Sequence, residues 1–88
     1  MEYLGSRSYI TTTVEFYDDK YHVKHKVVQE RSKDLKSWEQ REAVVELEDE
    51  DMEHGLASAL FSMRSYINSL NGDLFKQDDM ALDTGMVS

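Results

Sequence analysis

Three segments of the chain alternate between apolar and polar residues, which is the pattern of a half-buried β-strand. They span residues 8–17, 21–30 and 38–48, and β-branched and aromatic residues are frequent in them. In the first segment, the alternation places four residues on one side of the strand: Ile10, Thr12, Val14 and Phe16. Only the polar residues Asp18, Asp19 and Lys20 separate the first two segments, so the pattern predicts a β-hairpin.

From about residue 51 the apolar residues recur at steps of three and four, which is the period of an amphipathic helix. The stripe consists of Met52, Leu56, Ala59, Leu60, Met63, Ile67 and Leu70. It predicts a helix over residues 51–71, capped at its start by Asp49 or Asp51 and ended by Asn71-Gly72. Gly55 costs the helix about 1 kcal/mol relative to alanine, so a soft first turn is expected.

The order of elements predicts an α+β fold, a three-stranded antiparallel β-meander followed by one packed α-helix (β-β-β-α). We assign residues 1–72 to this single domain and residues 73–88 to an acidic C-terminal tail. One helix leaves a face and both edges of the sheet uncovered, so self-association as a homodimer is expected. The candidate contact residues are Tyr9, Tyr17 and Trp38. The alternative is that these aromatic residues merely tolerate a half-solvated surface.

Composition narrows the class of protein. The chain has no cysteine, which excludes disulfides and thiolate metal sites and suits a reducing cytoplasm. It also has no basic start followed by an apolar run, and no segment approaches the roughly 18 apolar residues of a membrane span. A cytoplasmic protein without cofactor or membrane contact is therefore expected.

The net charge of −8 is unevenly distributed along the chain. Residues 1–41 carry eight Lys or Arg against seven Asp or Glu, whereas residues 42–88 carry two against eleven. Six carboxylates, here called the acidic cluster, lie where the third strand passes into the helix: Glu46, Glu48, Asp49, Glu50, Asp51 and Glu53. The helix dipole accounts for two or three of them. The others indicate either a well-hydrated turn or a docking surface for a basic partner.

Catalytic and metal-binding patterns are weak. The acidic cluster lacks the central glycine of an EF-hand loop, so it does not predict a calcium site. His22 and His25 are three apart in a strand and point to opposite faces, which prevents them from binding one metal ion. We expect His54 to form an ion pair with Glu50 or Glu53. Without a nucleophile motif or a glycine-rich phosphate loop, an enzyme is not expected.

The preferred hypothesis is a non-enzymatic adaptor or inhibitor that docks the acidic cluster on a basic, nucleic-acid-binding partner protein. Small acidic proteins of this kind are frequent among phage regulators, which is an association only. The alternatives are a module that oligomerises through its sheet, and a nucleic-acid-binding domain that uses Lys24 and Lys26. The strand order resembles the later part of a double-stranded-RNA-binding domain. However, Asp49-Glu50-Asp51 stands where that family is basic, so direct nucleic-acid binding is not favoured.

Overall fold

The computed structural model describes residues 2–78 and shows three strands followed by two helical segments. The strands are β1 (Gly5–Tyr17), β2 (Lys20–Ser32) and β3 (Glu39–Asp49). They are followed by helix α1 (Met52–Ser69) and a 3₁₀ helix (Leu74–Lys76). The strands form one antiparallel sheet in the order β1-β2-β3. The predicted α+β arrangement, β-β-β-α, is therefore confirmed.

A two-residue turn joins β1 to β2. Asp18 and Asp19 both have positive φ, 54° and 60°, and Lys20 already pairs with Tyr17. Positive φ at both central residues is the mark of a type I′ turn, whose twist matches that of the flanking strands. The pairing then continues without interruption as far as Gly5 opposite Ser32, so β1 is unbulged and longer than the sequence predicts.

Helix α1 packs against β2 and β3. A helix is about 10 Å across and neighbouring strands are about 4.8 Å apart, so one helix covers two strands. β1 lies beyond its reach. Most side chains of β1 that point to the helix side of the sheet therefore stay in solvent: Ile10 and Phe16 are 65% and 60% exposed, whereas Val14, opposite Val23, is half-buried.

The core lies between α1 and the helix side of β2 and β3. The sheet supplies Val23, Val27 and Ala43, and the helix supplies Ala59, Met63 and Leu70. These are positions that the alternation and the helical stripe place on the inner faces. His25 is buried among them, and its Nδ1 lies 2.8 Å from Thr12 Oγ1.

Gly55 is buried where the first turns of α1 cross the sheet. A Cβ at this position would lie 3.1 Å from Asp49 Cβ and 3.3 Å from Val23 Cγ2. The glycine thus lets the helix backbone approach the sheet closely. Glycine lowers the helix propensity at this position, but a larger residue would not fit between the helix and the sheet.

The chain after α1 returns to the sheet. Leu74 and Phe75, expected in the tail, are buried, and Leu74 is fully enclosed. Gln29 fixes this segment from β2, since its side chain accepts from Leu74 N at 2.7 Å and donates to Gly72 O at 2.9 Å. The packed unit therefore reaches beyond residue 72. The rest of the acidic tail, from residue 79, lies outside the described residues.

Within residues 2–78, neither helical segment is long and apolar enough to cross a membrane.

Candidate functional site

Two carboxylates of the acidic cluster build the junction between β3 and α1. Asp51 is the N-cap of the helix, and its side chain accepts a hydrogen bond from Glu53 N. Asp49 accepts from Asp51 N at 2.8 Å and also contacts His54 Nδ1. Both side chains satisfy backbone amides that a helix start leaves without partners. Their position in the sequence is thus explained by local structure.

Two further carboxylates of the acidic cluster lie on the open face, the side of the sheet opposite α1. Register places Glu46 opposite Lys24 and Glu48 opposite His22. Lys24 Nζ lies 4.0 Å from Glu46 Oε1, and His22 Nδ1 lies 3.6 Å from Glu48 Oε2. The exposed Lys24–Glu46 pair contributes little stability, but it offsets part of the local charge.

The remaining two members, Glu50 and Glu53, are exposed and form no salt bridge within residues 2–78. The acidic cluster is therefore divided in space into two capping residues, two residues in cross-strand pairs and two free residues. This arrangement is less concentrated than six carboxylates in eight positions suggest.

His54 pairs with Asp49 and not with Glu50 or Glu53, which corrects the expectation from sequence. The turn before α1 folds back, so that Asp49 comes beside the first helical turn. The Asp49 carboxylate raises the pKa of His54 above its ordinary 6.5. The pKa of Asp49 lies below its ordinary 3.8, because Asp51 N donates to it and because His54 is near.

The pairing predicts a specific titration. Asp49→Asn is expected to lower the pKa of His54 toward 6.5, whereas Glu53→Gln should leave it unchanged, and NMR titration of the imidazole measures both. Because the pKa of His54 is raised by folding, the pair stabilises the fold below about pH 6.5, and this is lost as pH rises through the raised value. Asp49 contributes above about pH 3.8, and its contribution is lost on acidification. An equal shift in both variants would contradict the assignment.

The basic residues of β2 do not form a free cationic surface. Lys26 lies 3.8 Å from Glu42, and Lys24 faces Glu46 across β3. On the open face, cations and carboxylates therefore alternate between neighbouring strands. A phosphate backbone approaching Lys24 and Lys26 would meet both signs of charge, which does not favour binding by electrostatic attraction.

The three aromatic candidates for self-association all have partners within the chain. Tyr9 donates a hydrogen bond to Glu30, Tyr17 stacks on His22 with ring centroids 3.6 Å apart, and Trp38 lies under the Arg7 guanidinium at 4.0 Å. Glu30 is nearly buried and also accepts from Arg7 Nε at 2.6 Å. The Tyr9 hydroxyl and then Arg7 lower the pKa of Glu30. Tyr9 and Tyr17 nevertheless remain about half exposed.

The structure leaves large apolar side chains of β1 exposed on the side of the strand where the alternation places them. Ile10, Val14 and Phe16, here called the β1 apolar row, point to the helix side of the sheet, whereas α1 packs against β2 and β3; Ile10 and Phe16 are exposed and Val14 is half-buried. Leu60 on α1 is also 49% exposed. The sequence does indicate that one strand stays uncovered, because one helix is too narrow to cover three strands. Which two strands it covers depends on tertiary packing.

The part of the chain that the structure describes offers few candidates for a metal site or a ligand-binding cleft. No group of three or more His, Asp or Glu side chains is placed to hold a metal ion there. One surface depression is bordered by Tyr17, His22, Lys24 and Glu46, which already contact one another or their neighbours. This arrangement offers surfaces for contact rather than an enclosed cleft.

Comparison with known proteins finds no matching family model, no matching curated protein and no matching solved structure.

Proposed function

We propose that the chain is a non-enzymatic protein-binding module that engages another polypeptide through β1. The observation that carries this proposal is that β1 is an edge strand whose large side chains lie in solvent on both faces of the sheet. On the helix side these are Ile10 and Phe16, and on the open face they are Tyr9 and Tyr17. The absence of cysteine suits a cytoplasmic setting.

The physical support is the combination of unpaired backbone and exposed apolar area. An edge strand offers a row of N–H and C=O groups that a second strand can pair with. Burying the exposed parts of Ile10 and Phe16 adds a hydrophobic contribution of about 25 cal/mol per Å². Backbone pairing gives affinity, while the side chains on alternating faces give selectivity.

The test compares capture of protein partners by three forms of the chain. The double variant Ile10→Lys, Phe16→Lys is expected to lose the partner, because two charges are placed where apolar contact is required. Both side chains are more than half exposed, but Phe16 also packs on Tyr21 with ring centroids 4.7 Å apart, so the denaturation midpoint of the double variant is measured to show that it is folded. Phe61→Lys is the matched control, since Phe61 is 72% exposed on the outer side of α1. Capture is followed by mass spectrometry, with nuclease treatment of half of each sample.

Retention by the wild type and by Phe61→Lys, with loss in the double variant, supports the proposal. Equal capture by all three forms contradicts it. Capture that disappears on nuclease treatment points instead to nucleic acid bound near Lys24 and Lys26.

The acidic cluster supports a second candidate function, docking on a basic protein. The supporting observation is that the Glu46 and Glu48 side chains are 69% and 57% exposed despite their cross-strand pairs, and that Glu50 is free of salt bridges within residues 2–78. We rank it second because capping explains Asp49 and Asp51. The variant Glu48→Lys, Glu50→Lys leaves both caps intact, and it should abolish capture only if this surface is the site.

A further inference from the structure

We propose that the polypeptide bound by β1 is a second copy of this chain, whose own β1 pairs antiparallel about a two-fold axis at Thr13. The inference rests on the proposed function of the β1 edge and adds to it the partner and the register. It follows from three features of β1: the direction of its free backbone groups, the lack of protection along its edge, and the positions of its large side chains.

The turn defines which backbone groups of β1 are free. In a two-residue hairpin, the residues that flank the turn form a hydrogen-bonded pair, here Tyr17 and Lys20. Hydrogen-bonded pairs recur at every second residue, so the odd-numbered residues of β1 direct their N–H and C=O groups toward β2. The even-numbered residues, including Thr12 and Val14, direct theirs away from the sheet. A second strand can therefore pair with the even-numbered residues.

The two edges of the sheet differ in protection. Near the start of β3, the chain after the 3₁₀ helix contacts the edge: Gln77 donates to Glu42 O at 3.3 Å, and Arg41 lies 2.9 Å from Asp78. β3 also carries five carboxylates: Glu39, Glu42, Glu46, Glu48 and Asp49. Proteins block edge pairing with such charges and coverings.

β1 has none of these devices along its centre. It has no proline and no bulge, and its only charged residues are Arg7 and Glu15. An uninterrupted edge of 13 residues is a template for pairing. The contrast with β3 indicates that β1 is the edge at which a second strand can pair.

The side chains of β1 are arranged symmetrically about Thr13. A two-fold axis there sets Ile10 opposite Phe16 of the second copy on the helix side, and Tyr9 opposite Tyr17 of the second copy on the open face. Apolar and aromatic cross-strand pairs are the stabilising contacts between antiparallel strands. All four large exposed side chains of β1 then have a partner.

Neighbouring registers lose these pairs. With the axis at Thr11, Phe16 would face Ser6 and Tyr17 would face Gly5. With the axis at Thr12, Ile10 would face Val14, but Phe16 would face Ser8 and Tyr17 would face Arg7. Each shift leaves Phe16 and Tyr17 opposite small or polar residues, so the pattern of large side chains selects Thr13.

Charge agrees with the Thr13 register. Glu15 falls opposite Thr11 of the second copy, and no two like charges oppose each other in the paired stretch. The axis is perpendicular to the sheet, so both α1 helices lie on the same side. The result is a continuous six-stranded antiparallel sheet.

Single-cysteine variants test the register, since the chain has no other cysteine. At the two-fold axis, Thr13 faces itself in a non-hydrogen-bonded pair with Cα atoms about 4.5 Å apart, within the range of a disulfide. Thr11 on the same face would be offset by four residues, roughly 13 Å, from its copy. Under mild oxidation, Thr13→Cys is expected to form disulfide-linked dimers on the order of tenfold faster than Thr11→Cys, as seen on non-reducing gels. Sedimentation should give twice the 10.3 kDa chain mass for the wild type.

The possible results distinguish pairing of two copies from binding of a different polypeptide by β1. Faster cross-linking of Thr11→Cys, or equal rates, overturns the Thr13 register. A wild type that sediments at the mass of one chain, with no preferred cross-link, overturns the second copy as partner. In that case, loss of capture by the Ile10→Lys, Phe16→Lys variant would still support binding of a different polypeptide by β1. No loss there would remove the proposed function as well.

Discussion

Replacement of Leu74 by alanine is expected to destabilise the folded protein by about 3 kcal/mol. Leu74 follows α1 in a segment whose composition resembles an acidic tail, yet its side chain is fully buried with Val27, Met63 and Leu70. Removing three carbon atoms, the Cγ methine and two methyl groups, leaves a cavity between the helix and the sheet, and both the lost transfer energy and the cavity reduce the free energy of unfolding. For a small domain with about 5–15 kcal/mol in total, this is a large fraction.

Denaturant unfolding of Leu74→Ala beside Leu4→Ala measures this effect. Leu4 is 68% exposed, so the same chemical change there should alter the free energy of unfolding by less than about 0.5 kcal/mol. Two equal midpoints would show that the chain after residue 72 does not pack on the sheet.

Gly55→Val is expected to destabilise the fold by about 1–3 kcal/mol through overpacking. A Cβ at this position already approaches Asp49 Cβ and Val23 Cγ2 closely, and the two methyl groups of valine would have to displace α1 from the sheet. Because Asp49 also holds the start of the helix, a displacement there would disturb the cap as well as the core.

Ala57→Val is the matched control for this change. Ala57 is exposed on α1, so valine there costs only helix propensity, about 0.7 kcal/mol at most. Gly55→Ala separates the two effects at the buried site, because alanine improves helix propensity by about 1 kcal/mol while adding the close contact. If Gly55→Val proved no more destabilising than Ala57→Val, the close approach of helix and sheet would be wrong.

The order and type of the main elements could be predicted from the sequence because both patterns are strong. Alternation in β2 places Val23, His25 and Val27 on one face, and these residues are buried there. The helical stripe likewise identifies Ala59, Met63 and Leu70 as the inner face of α1. Such patterns reflect local geometry, which the chain carries in its residue spacing.

Features that depend on contacts between distant residues could not be predicted from the sequence. Leu74 and Phe75 are two apolar residues without a period, and only the side chain of Gln29, 45 positions away, shows where they dock. The cost of Gly55 in a helix is visible in the sequence, but its contact with Val23 is not. The pairing of His54 with Asp49 required the fold-back of the turn before α1.

The arrangement of the acidic cluster could not be predicted from the sequence either. Proximity in sequence suggests one patch of charge, whereas the register of β3 against β2 turns Glu46 and Glu48 toward Lys24 and His22. Whether a charge run is a patch depends on what the neighbouring strand presents. The exposure of the β1 apolar row likewise depends on the packing of α1, which contacts β2 and β3.

The covering of β3 by Gln77 and Asp78 has a consequence for how far an assembly can grow. A sheet with two bare edges can add copies at both ends and extend into a fibre, because each addition regenerates the surface that accepted it. Here the β3 edge carries five carboxylates and is contacted by the end of the chain at Arg41 and Glu42, whereas the β1 edge has neither protection. In the proposed dimer, both outer edges of the joined sheet would be β3 strands. The segment after α1 and the charges of β3 are therefore expected to limit the proposed assembly to two copies.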